Sequence, residues 1–192
     1  EYLAGLLEDA GCELVVGAPG GDIVKMDAAV VTTCGFIGSA KAQSIDVIVE
    51  LATRKRETGN PARLFVAGCL AQRYAGELIA EIPEIDGMVG VGQFKQMADM
   101  ILTGGRPAEP ILDVSPVPTV DIYRFMNRKR LDRAPHAFLK ISDGCNHTCS
   151  FCSIPLMKGK LRSVSPEIIL EEARHLLSDG VRELNLVAQD LS

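Results

Sequence analysis

Hydrophobic positions along the first hundred residues switch repeatedly between two periods. In "EYLAGLLEDAG", Leu3, Leu6, Leu7 and Ala10 recur at helical spacing, and Gly11 offers a stop. Short continuous apolar runs follow at "LVV" (14–16) and "AAVVTTC" (28–34), which read as strands. A helix is predicted over 39–57, with Ile45, Ile48, Val49 and Ala52 on one face. The strand "LFVAGC" (64–69), a helix over 71–81, the strand "GMVGVG" (87–92) and a helix near 94–102 complete the series.

Strands that are apolar throughout, alternating with helices, imply a parallel sheet covered on both faces. Residues 1–103 are therefore expected to form an α/β domain of the flavodoxin-like or Rossmann-like open type. The next stretch, "GGRPAEPILDVSPVPTV", carries four prolines and two glycines without helical period and reads as a linker spanning 104–136 with the segment after it. A second domain is predicted over 137–192. It opens on the strand "AFLKIS" and passes through a cysteine-bearing loop to a helix over 165–180. Ser165 is placed to cap that helix, Pro166 suits its first position and Gly180 closes it. The strand "VRELNLVAQ" then gives a βαβ unit, the beginning of a βα barrel. The chain reads as a piece of a longer protein, because it opens within a helix and stops after a strand. Half a barrel leaves strand edges open, so the chain alone is expected to be inactive or poorly folded.

Composition narrows the class. An apolar fraction of 47% with 23% charged residues describes a globular chain. No apolar run approaches the roughly 20 residues of a membrane span, so no membrane role is expected and the cytoplasm is the expected compartment. The net charge of −5 argues against broad binding to a phosphate backbone. One basic stretch dissents: "YRFMNRKRLDR" holds Arg124, Arg128, Lys129, Arg130 and Arg133, a solvated linker or a contact for RNA.

Six cysteines without an extracellular signal point to metal or redox chemistry. Three of them, Cys145, Cys149 and Cys152, stand in a C-x3-C-x2-C spacing within "ISDGCNHTCSFCSIP". Thiolates so close repel one another, and a bound cation offsets that repulsion. Zinc would ask for a fourth ligand, for which His147 is the candidate, although a side chain between two ligands in a tight loop is not expected to reach the same ion. A cubane iron–sulfur cluster takes one thiolate per iron, so three cysteines leave one iron open to bind a small molecule.

That spacing, with Phe151 before the last cysteine and a strand before the first, resembles the signature of radical S-adenosylmethionine enzymes. The stretches "VVTTCGFIGSAKAQS", "VAGCLAQRY", "HAFLKISDGCNHTCSFCSIPLMKGKLRS" and "LVAQD" are together similar to the methylthiotransferase branch, and most similar to the enzymes that modify an aspartate of protein twelve of the small ribosomal subunit. The resemblance implies a [4Fe–4S] cluster on Cys145, Cys149 and Cys152, with S-adenosyl-L-methionine chelated at its open iron and Phe151 and Gln189 beside that cofactor. Reductive cleavage of the sulfonium would give a 5′-deoxyadenosyl radical, which removes hydrogen from the β-carbon of the target aspartate. An electron donor such as flavodoxin or ferredoxin would supply the electron. Methylthiolation of a tRNA adenosine is the alternative in the same family, and a zinc-stabilised binding module is the alternative of another class.

Cys34 and Cys69 each close a predicted parallel strand, and the ends of such strands share one sheet edge where ligands bind. The family resemblance implies a second [4Fe–4S] cluster there, with a third cysteine upstream of Glu1, and Cys12 reads as structural. Lys140, Asp143, Gln189 and Asp190 fall near predicted strand ends as candidates to line the cofactor pocket. One departure from the family pattern is Val164, where a second arginine of an Arg-Ser-Arg run is usual.

Overall fold

The computed structural model describes residues 1–17, 25–105, 107–115 and 128–191. The chain divides into two compact units, Leu6–Pro116 and Val117–Ser192 with Glu1–Gly5.

In the first unit, β1 (Ala28–Thr33), β2 (Arg63–Gly68), β3 (Gly87–Val89) and β4 (Ile111–Asp113) form one sheet in that order, all parallel. The helices between them are α2 (Gly38–Thr58), α3 (Cys69–Glu81) and α4 (Phe94–Leu102), and α1 (Tyr2–Asp9) precedes β1. Gly11 and Gly59 follow the ends of α1 and α2 with φ of 84° and 71°, a left-handed conformation that glycine adopts without a Cβ penalty.

Leu64, Phe65, Val66 and Ala67 of β2 are all buried, so both faces of the central strand are covered. One face packs as a single cluster in which Val31, Leu64, Val66 and Met88 meet Ile48, Leu51 and Ala52 of α2 and Leu70, Ala71 and Leu78 of α3. The α/β alternation expected over 1–103 is thus present, with two corrections. Residues 14–16 form no strand; Val15 and Val16 are exposed, so β-branched propensity without a pairing partner was not enough. The proline-rich stretch, in turn, contributes β4, which extends the sheet through Ile111, Leu112 and Asp113.

In the second unit, β5 (His136–Lys140) pairs in parallel with β8 (Glu183–Val187). Helix α6 (Pro166–Ser178) lies between them in sequence, as the βαβ reading requires, and Leu176 joins Ala137, Leu139 and Val181 in the core of this unit. Ser165 occupies the N-cap position in extended conformation, but its hydroxyl makes no capping hydrogen bond. Between β5 and α6 the chain also forms β6 (Ser142–Asp143), the short helix α5 (Ile154–Lys158) and β7 (Arg162–Ser163). Strands β6 and β7 pair antiparallel and clasp the two ends of the cysteine loop.

Candidate metal centre

The loop carrying Cys145, Cys149 and Cys152 leaves β6 and returns at β7. Asp143 faces Arg162 and Ser142 faces Ser163, and the Val164 N–H donates to the Ile141 carbonyl at 2.9 Å. Immediately inside the clasp, Gly144 has φ of 78°, and a Cβ there would stand 2.3 Å from the Lys160 carbonyl oxygen and 2.7 Å from that of Gly159. Only glycine fits so close an approach. The Cys145 N–H donates to the Gly159 carbonyl at 3.2 Å, and the Asn146 side chain accepts from the Leu161 N–H at 3.1 Å. Both limbs of the loop are therefore tied together next to the first cysteine.

A fully buried carboxylate supports this junction. Asp143 Oδ2 accepts from Lys140 Nζ at 2.7 Å, while Oδ1 accepts from the Gly144 N–H at 3.2 Å and lies 3.6 Å from Lys158 Nζ of α5. Two lysines flank one charge, which offsets the cost of burying it. Lys158 and Asn146 were not singled out in the sequence, since their partners lie up to 15 residues away in a loop without period. Val164 is 7% exposed, so the position where an arginine is usual serves here as core.

The segment after β8 packs onto the same loop. Gln189 Oε1 accepts from the Gly144 N–H at 3.2 Å, and the Asp190 carbonyl accepts from Ser142 Oγ at 3.2 Å. Asp190 Oδ2 lies 3.7 Å from Cys145 Sγ and 3.1 Å from His147 Nε2. The donor atoms of Cys145, His147 and Asp190 all fall within 4.8 Å of one another. His147 thus stands near Cys145, in a group that Cys149 and Cys152 do not join. The imidazole reaches it across Asp190, a residue 43 positions later that no local reading of the loop supplies.

Of the three loop thiols, Cys145 is buried, Cys152 half-buried and Cys149 exposed. Among the described residues, the convergent donor group contains Cys145 but neither Cys149 nor Cys152. Phe151 is 91% exposed. The donor set fits an iron–sulfur centre in its chemistry: three soft thiols, one of them on a clasped backbone and one open to solvent.

In the first unit, Cys34 directly follows β1 and Cys69 directly follows β2, where Thr33 and Gly68 are register partners. Gly68 has φ of 104°, and a Cβ on it would meet the Thr33 carbonyl oxygen at 2.8 Å. A Cβ on Gly35 would meet the Cys69 carbonyl oxygen at 2.7 Å. The two turns therefore pack backbone to backbone. Thr33 Oγ1 donates to the Ala67 carbonyl at 2.8 Å and accepts from the Leu70 N–H at 3.2 Å, while the Cys34 N–H donates to Ser44 Oγ at 3.3 Å. Cys34 and Cys69 are free thiols of intermediate exposure, brought to one edge despite 34 intervening residues. Cys12 lies outside any strand, with its N–H on the Leu7 carbonyl at 2.9 Å.

Two arginines of the basic stretch have partners inside their own unit. Arg128 pairs with Glu1 and Glu172, each at 2.9 Å, and donates to the Phe138 carbonyl. Arg130 pairs with Asp132 and Asp179 and donates to the Ala134 carbonyl. Arg124 lies outside the described residues. No helix among the described residues is long and apolar enough to cross a membrane.

Comparison with known proteins agrees with both halves of this architecture. Residues 1–90 match the uncharacterized protein family UPF0004, and residues 139–191 match the radical SAM superfamily. The chain is 43% identical over 190 residues to the ribosomal protein uS12 methylthiotransferase RimO of Thermotoga maritima, covering 99% of this chain and 41% of the relative. It is 41% identical over 193 residues to the protein of that name from Clostridioides difficile, covering 99% of this chain and 41% of the relative. To the Myxococcus xanthus protein of that name it is 40% identical over 194 residues, covering 100% of this chain and 38% of the relative. The chain thus spans about two fifths of the length of the relatives it matches. Over nearly all of its residues the chain is thus similar to relatives that carry that methylthiotransferase name, and its residues 139–191 match the radical SAM superfamily.

Proposed function

We propose that the protein containing this chain is a radical S-adenosylmethionine methylthiotransferase that modifies the β-carbon of an aspartate in protein twelve of the small ribosomal subunit. The observation that carries the reading is the clasped loop, which sets three cysteines between β6 and β7 with Gln189 and Asp190 packed against its first turn. The names of the relatives, all ribosomal protein uS12 methylthiotransferases, supply the substrate class.

Cys145, Cys149 and Cys152 would hold one [4Fe–4S] cluster, and Cys34 and Cys69 would contribute to a second. When bound, such a cluster together with S-adenosyl-L-methionine supplies a carbon-centred radical able to attack an unactivated C–H bond, which no side chain can do by acid–base chemistry. The chain's own residues bind and orient. Asp143, held by Lys140 and Lys158, fixes the backbone at Gly144 and with it the position of Cys145. Gln189 buttresses the same peptide. Phe151, exposed beside Cys152, is available to cover a bound cofactor and exclude water. On the sheet edge, Thr33 and Ser44 hold the two turns from which the Cys34 and Cys69 thiols project.

A flavodoxin- or ferredoxin-type donor and a cytoplasmic location belong to the same proposal. The test is anaerobic reconstitution with iron and sulfide, followed by assay of S-adenosylmethionine cleavage. Mass spectrometry of the small-subunit protein then looks for an added methylthio group, with tRNA nucleosides measured in parallel. Failure to take up iron with acid-labile sulfide after bound zinc has been removed would overturn the radical reading, and modification confined to tRNA would overturn the substrate.

A further inference from the structure

The convergence of Cys145, His147 and Asp190 has a geometry of its own. In a tetrahedral zinc site with ordinary bond lengths, the edge between a carboxylate oxygen and an imidazole nitrogen is about 3.4 Å, and that between oxygen and thiolate sulfur about 3.6 Å. Here the same separations are 3.1 Å and 3.7 Å without any ion. Two edges therefore already match those of a metal tetrahedron, and the third, between the thiol and the imidazole, lies within 4.8 Å.

We propose that Cys145, His147 and Asp190 form a mononuclear site for a zinc-type divalent cation, whose occupancy excludes Cys145 from the three-cysteine iron–sulfur centre. A mixed set of sulfur, nitrogen and oxygen suits zinc or cobalt, whereas magnesium and calcium require oxygen alone. Three protein ligands leave the fourth position to water, and the His147 side chain, 63% exposed, opens the site to solvent. The ligands are held in advance. The Cys145 backbone is tied to Gly159, the Asp190 carbonyl to Ser142, and the His147 N–H to Cys145 Sγ at 3.4 Å. Binding releases the Cys145 thiol proton to water and leaves a thiolate on the ion.

The exclusion rests on the function proposed above. A Cys145 thiolate drawn onto a cation between His147 and Asp190, a group that Cys149 and Cys152 do not join, gives up charge to that ion and is a poorer donor to a cluster iron. A zinc-type ion at this position therefore acts as a plug that competes with cluster loading.

Cobalt titration of the chelator-treated full-length protein that contains this chain reads the site directly. One equivalent of Co2+ is expected to give a thiolate-to-cobalt charge-transfer absorption and the strong visible bands of tetrahedral cobalt. His147→Ala and Asp190→Asn are each expected to weaken binding by more than about tenfold, the lower limit for loss of even an outer partner. Cys149→Ala and Cys152→Ala should leave it unchanged. Because His147 is exposed, its variant is expected to keep its far-UV circular dichroism, and Asp190→Asn is the second probe. Loss of the absorption in Cys149→Ala or Cys152→Ala, an unaltered titration in His147→Ala, or no absorption at all would overturn the site. In a second arm, zinc-loaded protein should take up iron and sulfide more slowly than metal-free protein, and His147→Ala should remove the difference. Equal rates with and without zinc would overturn the exclusion. Failure of every variant to take up iron and sulfide would instead remove the proposed function while leaving the cobalt result standing.

Discussion

Lys55, near the end of α2, and Asp86, in the turn before β3, form a buried ion pair with side chains 6% and 3% exposed. The lysine also donates to the Glu84 carbonyl at 2.6 Å, and the same carboxylate oxygen accepts from the Leu64 N–H at 2.7 Å. One charge pair thus fastens α2 to the starts of β2 and β3, at the edge of the sheet away from Cys34 and Cys69.

Removal of one member leaves the other buried without its counter-charge. Lys55→Met is expected to destabilise the first unit by about 3–5 kcal/mol, the usual consequence of breaking such a pair. Arg56→Met, which removes an exposed pair with Glu84, should cost under about 1 kcal/mol. Urea unfolding followed by circular dichroism compares the two, and equal midpoints would contradict the assignment.

Cys149 is exposed, so Cys149→Ala should leave thermal unfolding within about 0.5 kcal/mol of the parent, as for other surface changes. Iron and labile sulfide bound after reconstitution should fall, and S-adenosylmethionine cleavage should vanish. Undiminished cleavage by the variant would remove this cysteine from the site.

The clasp makes a sharper demand on Gly144. Gly144→Ala forces a Cβ to 2.3 Å from the Lys160 carbonyl oxygen and strains a positive φ, a combination expected to cost about 1–3 kcal/mol or more. Amide hydrogen exchange should report the loss at Cys145, Leu161 and Val164, whose N–H groups are bonded within the loop and its clasp. Unchanged protection at these amides would show that the clasp does not depend on this glycine.

Burial raises the Glu172 carboxyl above its ordinary value of 4.5, Arg128 opposes the shift, Glu1 adds to it and His175 opposes it. A raised folded value means that the native state holds this proton more tightly than the unfolded chain does. The stabilisation is fully present below pH 4.5 and is lost as pH rises through the folded value. Glu172→Gln should therefore flatten the pH dependence of unfolding just above pH 4.5, measured by denaturant titration at several pH values. A variant with the parent's slope in that window would contradict this linkage.

Much of the fold could be read from periodicity because α2, α3, α4 and α6 bury a regular face and β1, β2 and β3 each carry a continuous apolar run. Short elements escaped for a physical reason. Strand β4 is held by backbone pairing to β3 while Ile111 and Leu112 remain exposed, so its residues carry no core pattern. The two-residue strands β6 and β7 are too short for any period. Spacing was enough to single out the cysteines, whereas the roles of His147, Asp190 and Lys158 depend on side chains meeting across 15 to 43 residues of chain, which only the folded loop determines.

The pairing of Thr33 with Gly68 makes the sheet a gauge for the two thiols that follow it. Sliding β1 by one position along β2 would offset those sulfurs by about 3.3 Å and would also turn Val31 out of its cluster. Substitutions deep among Val31, Leu64 and Val66 therefore act at a distance on the reactive edge, and a lineage that repacks this interior must preserve its alignment or surrender the spacing between Cys34 and Cys69.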